Sequence, residues 1–337
     1  MLLLRKLLFP FAILYGWIMS ARNYLYEMGV FKSTEYRFPI INVGNLTTGG
    51  TGKTPMIEYL ICFLKDDYAL AVLSRGYGRK TKGYLEVSTG HTATDVGDEP
   101  LQFKRKFPEV TVAVCSDRRS GIAKLKNKAD IILLDDAFQH RKVKASTNIL
   151  LTAYGDLYID DYMLPTGNLR EPRKGARRAD IIIVTKCPQP VPYAHLQEIE
   201  YRLPLGNLQE IYFSRIGYDD NLYGKTEKLP LSYLLGKPFT LVTGIAKPEP
   251  LVQFLKAKNF QFEHLRFPDH HAFSASEIEN LQKQELIITT EKDYMRLEGK
   301  VEKFALYYLP IRTEILKDQD VFLKEMIVHR IEHTLRG

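Results

Sequence analysis

Cysteine is scarce in this chain: only Cys62, Cys115 and Cys187 occur, with no spacing that suits a metal. Two of them sit in apolar runs, where a thiol acts as a small core group. A zinc site is therefore not expected, and a reduced, cytosolic environment fits. Long hydrophobic runs are also missing. The apolar stretch from Leu7 to Ala21 covers about 15 residues, short of the roughly 18–20 that cross a bilayer. No RNA- or DNA-binding motif and no long basic tract occurs. Nucleic acid is thus not the expected partner, although the net charge is +7 and the pI is near 9.0. Internal repeats and low-complexity segments are absent. So is the base-reading N/T-K-x-D of GTP-binding proteins: Thr185-Lys186 is followed by Pro188 where the aspartate belongs. ATP is the better fit.

What is present is an alternating strand and helix pattern. With 337 residues, 45% apolar and 26% charged, the chain can hold two cores. Apolar runs in "FPIINVG", "LAVLSRGYG", "VTVAVC", "ADIILLDDAF", "TNILLTAY" and "ADIIIVTK" alternate with helical segments. That predicts a parallel, doubly wound sheet buried on both faces, with ligands at the carboxyl ends of its strands. The rhythm changes near residues 206–235, read as a linker containing a two-stranded ribbon. A smaller α/β unit, 236–337, follows and closes with an amphipathic helix. Residues 33–205 form the nucleotide-binding unit in this division, and 1–32 an N-terminal helix. That helix begins with Arg5 and Lys6. A signal peptide or an ordinary buried helix fits the same residues. A signal peptide, however, would export a nucleotide site to a compartment without ATP. We read the segment as a helix in the membrane interface, with Trp17 and tyrosines at headgroup level and Arg5, Lys6 and Arg22 near lipid phosphates.

Chemistry concentrates in a few short stretches. In "VGNLTTGGTGKTP", a strand runs into a glycine-rich turn and then into a helix, an arrangement that cradles phosphate. Thr47-Thr48-Gly49-Gly50-Thr51-Gly52-Lys53-Thr54 matches G-x-x-x-x-G-K-[ST] except at Thr47. Lys53 then reaches the β/γ-phosphates and Thr54 binds Mg²⁺. Asp135-Asp136 ends an apolar strand as a Walker B acid does. On "ATDVGDEPLQF", one of Asp95, Asp98 and Glu99 could take a proton from an alcohol while a neighbour supports the metal. In "FPDHHAFS", adjacent histidines point to opposite faces of a strand, so a histidine paired with a carboxylate fits better than a metal site. Arg75, Arg118, Arg119, Arg170 and Arg178 follow strand ends and suit an acceptor that already carries phosphate.

In combination, "VGNLTTGGTGKTP", "SRGYGR", "VGDEPLQ", "DDAFQH", "LPTGNLREP", "FPDHHAF" and "TTEKDYMRL" resemble, in order and over nearly the whole chain, the tetraacyldisaccharide 4′-kinase family of lipid A biosynthesis. The resemblance implies two α/β domains joined by a ribbon. It also implies ATP- and Mg²⁺-dependent phosphorylation of a tetraacyl glucosamine disaccharide 1-phosphate at the cytoplasmic face of the inner membrane, and no obligate protein partner is inferred. It places the catalytic aspartate on Asp98 and its histidine partner on His270. The metal-supporting acids fall on Asp135, Asp136 and Glu99, and contacts to the acceptor headgroup on Arg75, Tyr77, Gln139, His140 and Arg170. The competing reading is a membrane-associated P-loop ATPase or GTPase switch. Such proteins often carry a lysine just before the paired glycines, where this chain has Thr48.

Overall fold

Strands bounded by turn residues line up into two large sheets, beside a short parallel pair of Thr34–Glu35 with Val143–Lys144, in the computed structural model, which describes residues 5, 7–269, 271–301, 305–316 and 319–336. The first sheet uses β1 (Ile40–Asn45), β2 (Leu70–Ser74), β3 (Leu85–Glu86), β4 (Thr111–Val114), β5 (Ile131–Asp135), β6 (Thr147–Ala153), β7 (Ile181–Thr185) and β8 (Glu210–Tyr218). Its order is β8-β7-β6-β1-β5-β2-β4-β3, extended beyond β8 by a strand from the far end of the chain. From β8 to β4 all neighbours are parallel, and β3 is antiparallel. A parallel sheet needs cover on both faces, and every residue of β1 is buried. Ile41 and Val43 face α2 (Lys53–Leu64), which presents Met56, Ile57, Leu60, Ile61 and Leu64. Ile40 lies on the opposite face with Ile122 and Leu125 of α4 (Arg118–Leu125). The N-terminal helix α1 (Phe9–Glu27) lies outside these layers, and α3 (Asp98–Lys106) runs from the loop after β3 into β4.

The second sheet has the order β10-β9-β14-β13-β11-β12, from β9 (Asn221–Tyr223), β10 (Lys228–Pro230), β11 (Phe239–Thr243), β12 (Phe262–Arg266), β13 (Ile287–Thr289) and β14 (Leu306–Tyr308). Before these, α5 (Tyr193–Arg202) packs Leu196 and Ile199 on the first lobe. In the second lobe α6 (Glu249–Ala257) buries Leu251 and Leu255 on one face, while α7 (Ala275–Gln282) and α8 (Glu291–Leu297) bury Leu281, Tyr294 and Leu297 on the other.

The connection between lobes differs from a simple linker. β8 is a nine-residue strand of the first sheet, and only the β9–β10 hairpin belongs to the second. The chain then returns. β15 (Ile311–Ile315) pairs antiparallel with β8, and α9 (Asp320–Arg336) sinks Leu323, Ile327 and Ile331 into the first core. β15 and α9, grouped with the C-terminal unit on sequence pattern, thus lie on the first sheet. Two polar contacts fix α9 there: Tyr59 donates to Asp320 (2.7 Å) and Arg330 to Asp180 (2.8 Å).

Between the lobes, α3 meets α8. Arg105 pairs with Glu298, and Lys106 lies between Glu58 of α2 (2.6 Å) and Glu291 of α8 (3.3 Å). Burial would lower the Lys106 pKa, but the two carboxylates raise it. Glu291 is buried and its Oε1 has no hydrogen-bond partner among the described residues. Burial, with Glu58 close by, pushes its pKa up to about 8 against the opposing pull of Lys106.

Two outcomes follow. A Cβ on Gly44 of β1 would come within 2.6 Å of Phe138 Cβ and 3.2 Å of its backbone nitrogen. Gly44→Ala is expected to destabilise the protein by about 1–3 kcal/mol, read as a lower midpoint in denaturant. For Glu291 the unfolded chain releases the proton near pH 4.3, the folded one near 8. The stability tied to that proton is full below the unfolded value and is lost as pH rises through the folded one. The melting temperature of Glu291→Gln should therefore gain on wild type between about pH 5 and about pH 8.5. A gap that stays constant or narrows contradicts the assignment.

Candidate active site

The phosphate loop starts where β1 ends. Residues 46–52 turn back over the sheet through Gly49 (φ 120°) and Gly52 (φ 89°), backbone conformations that suit glycine, and α2 starts at Lys53. The loop is held from several sides. Thr48 N–H donates to Asn168 C=O (2.7 Å), the Asn45 amide to Thr51 Oγ1 (2.9 Å), and the Thr185 hydroxyl to Thr51 C=O (2.7 Å). Thr47, where the motif has its first glycine, is buried and bridges to Leu169. Gly50 accepts a hydrogen bond from Lys186, so a second lysine reaches the loop. Burial, then Lys247 and Lys292, lowers the Lys186 pKa.

Three carboxylates surround the loop's end. Asp135 closes β5 and is buried; Oδ2 accepts from Ser74 Oγ (2.9 Å) while Oδ1 has no hydrogen-bond partner among the described residues. Burial, with Glu99 and Asp136 nearby, raises its pKa to about 7. Asp136 adopts φ 50°, which an aspartate tolerates. It pairs with both ends of the Arg170 fork (2.8 and 3.1 Å) and lies 3.7 Å from Lys53 Nζ. Burial would raise its pKa, but Arg170 and Lys53 outweigh that and hold it low. Glu99 Oε1 accepts from the Thr54 hydroxyl (2.9 Å) and from Lys292 (3.1 Å). Burial is again outweighed, here by Lys292, Thr54 and Lys53, and the group is held low.

Asp98 and Glu99 open α3, after Gly97 at φ 95°. Asp98 Oδ2 accepts from Arg296 Nη2 at 2.7 Å. The structure thus gathers Lys53, Thr54, Glu99, Asp135 and Asp136 at one point, with Asp98 next in sequence to Glu99. His270, expected beside Asp98, lies outside the described residues. His271 stacks on Phe267 and lies 3.0 Å from Glu277 in the cap of α7.

The residues expected at the acceptor separate into two groups. Gln139 Nε2 donates to Asn45 C=O (2.8 Å) and to Glu171 (2.9 Å), and Arg170 also reaches Asn45, so both pack beside the loop. His140 is pushed down to about 4 by burial and then by Arg118, which leaves a neutral ring; its Nε2 has no hydrogen-bond partner among the described residues. Arg75 and Tyr77 are exposed on the loop after β2. Pattern reading overlooked Lys186, Lys292, Arg296 and Glu171. Glu171 is fully buried and takes hydrogen bonds from Asn23 of α1 (3.2 Å), Arg178 (2.8 Å) and Gln139. The available signal was the four-residue spacing of Lys292 and Arg296 in a short segment after a strand.

Among the described residues no group of three or more His, Cys, Asp or Glu could hold a metal unaided. Magnesium is commonly held by one or two carboxylates and by substrate phosphates. The unpartnered Asp135 oxygen, close enough to Glu99 and Asp136 to feel their charge, fits that chemistry.

Known proteins similar to this chain identify its family. The family model for tetraacyldisaccharide-1-P 4′-kinase, LpxK, matches residues 4–332. A tetraacyldisaccharide 4′-kinase of Flavobacterium johnsoniae is 50% identical, with 98% of this chain and 99% of that protein covered. The one from Parabacteroides distasonis is 46% identical, with 98% and 96% covered. A crystal structure of LpxK from Aquifex aeolicus in complex with ATP superposes with a TM-score of 0.80 at 32% identity, covering 97% of this chain and 99% of that one. The chain belongs to the tetraacyldisaccharide 4′-kinase family.

Proposed function

We propose that this chain transfers the terminal phosphoryl group of ATP to the 4′-hydroxyl of a tetraacyl glucosamine disaccharide 1-phosphate, giving the 1,4′-bisphosphorylated lipid A precursor. The observation that carries the reading is the 2.9 Å hydrogen bond from Thr54 to Glu99, which ties the Asp98-Glu99 pair to the phosphate loop. Loop N–H groups and Lys53 hold the phosphates and oppose the charge that spreads over the transferred group. Thr54, Glu99, Asp135 and Asp136 are suited to hold Mg²⁺, which when bound neutralises β- and γ-phosphate oxygens. Asp98 receives the hydroxyl proton as the sugar oxygen bonds to phosphorus. The bond between the γ-phosphorus and the β–γ bridging oxygen breaks, and ADP leaves. In this reading His270 orients Asp98, and Arg75, Tyr77, Gln139, His140 and Arg170 serve the acceptor's phosphorylated headgroup.

A tetraacyl acceptor implies work at a membrane surface, and we assign that contact to α1 at the cytoplasmic face of the inner membrane. No helix among the described residues is long and apolar enough to cross a membrane. What supports a surface contact is the outward side of α1, where Phe11, Leu14, Trp17 and Ile18 are exposed. Arg5, ahead of α1, and Arg22 within it are both used inside the protein. Arg5 donates to the carbonyls of Pro165 (3.2 Å) and Gly167 (2.8 Å), and Arg22 to that of Gln139 (2.7 Å). Lys6 lies outside the described residues. Binding therefore depends mainly on apolar insertion.

With labelled ATP, Mg²⁺ and detergent-dispersed tetraacyl disaccharide 1-phosphate, wild type should yield labelled lipid. Asp98→Ala should lose about 10²–10⁴-fold in kcat while still binding ATP. ATP hydrolysis stimulated by membranes, with no labelled lipid, would instead favour a switch. Trp17 is the sole tryptophan and reports on α1 directly. Its emission should shift to the blue on lipid vesicles, and changing Phe11, Leu14 and Ile18 to serine should abolish the shift without weakening ATP binding.

A further inference from the structure

α8 belongs to the second lobe, yet two of its side chains end on the acids that open α3. Lys292 and Arg296 are four residues apart and share a helix face. Lys292 Nζ lies 3.1 Å from Glu99 and Arg296 Nη2 lies 2.7 Å from Asp98 Oδ2. The arginine is braced from behind. Its Nη1 lies 3.3 Å from Oδ1 of Asp293, a residue with no solvent exposure. Asp293 Oδ2 in turn accepts from Gly244 N–H (2.8 Å) and from the Thr290 hydroxyl (2.7 Å). A guanidinium is a flat, rigid fork, so fixing one prong on a buried carboxylate sets the direction of the other. The chain of contacts runs from the end of β11 through Asp293 and Arg296 to Asp98.

We propose that Arg296 is a positioning residue for phosphoryl transfer: it holds the Asp98 carboxylate in the orientation that takes the acceptor's proton, and does so only while the second lobe is docked. This rests on the reading of Asp98 as the proton acceptor. The rest of the seam supplies an internal control. Arg105–Glu298 is also an ion pair, between α3 and the residue that caps α8, but seven residues along α3 put it about 10 Å from Asp98. Lobe docking alone would make both pairs matter equally. Positioning makes only Arg296 matter to the chemical step.

The test is the label-transfer assay with Arg296→Gln, Arg296→Lys, Arg105→Gln and Asp98→Asn, each first checked for folding by thermal melting. Arg296→Gln should lower kcat about 100-fold with the KM for ATP within about twofold of wild type. Arg296→Lys should recover part of the loss, since a single ammonium still reaches Asp98, and Arg105→Gln should keep the wild-type kcat. Equal losses in Arg296→Gln and Arg105→Gln, or a change in KM alone, would overturn the proposal. So would an Arg296→Gln variant as active as wild type while Asp98→Asn is dead. If Asp98→Asn itself keeps full activity, the assignment of Asp98 as proton acceptor is what fails.

Discussion

Three carboxylates, Asp135, Asp136 and Glu99, crowd the end of the phosphate loop, and their repulsion has to be opposed by cations drawn from distant parts of the chain. Lys53 comes from α2, Arg170 from the loop after β6, and Lys292 from the second lobe. The opposition is uneven. Asp136 and Glu99 are held ionised by their partners, whereas buried Asp135 is pushed towards neutrality. A site that needs a divalent ion to complete its charge balance has this character, because a cation there relieves the acid least supported by the protein.

The same demand explains why polar groups are buried in an otherwise apolar interior. Glu171, with no exposure, is satisfied by Asn23, Arg178 and Gln139. Breaking such a group's bonds leaves a desolvated charge, a cost far above that of a surface ion pair. It also couples the surface helix α1 to the residues beside the phosphate loop, since Asn23 and Gln139 meet on one carboxylate. Orientation of α1 and geometry of the site are thus one problem for the chain.

Much of this was legible in the sequence because the signals were local. An apolar strand, a run of small residues and Lys53 sit within a dozen positions, and Asp135-Asp136 ends its own strand. The fold class followed from alternation of apolar runs. What stayed hidden depends on distance along the chain. Arg296 and Asp98 are 198 residues apart, and Lys292 and Glu99 193. Periodicity places α3 and α8 as elements but says nothing of their contact. The return of β15 and α9 to the first sheet was hidden for the same reason. An apolar strand reads alike whichever sheet it joins.

That return gives the molecule a particular topology. β8 and β15 are antiparallel neighbours, and Tyr218, the last residue of the one, faces Ile311, the first of the other. Everything between them is, in the terms of the first sheet, the turn of a β-hairpin that happens to be a lobe. Such a turn can lengthen, shorten or be exchanged without rethreading any strand of the nucleotide-binding sheet. The part of the enzyme that brings Arg296 to the reaction is therefore the part most easily remodelled by insertion.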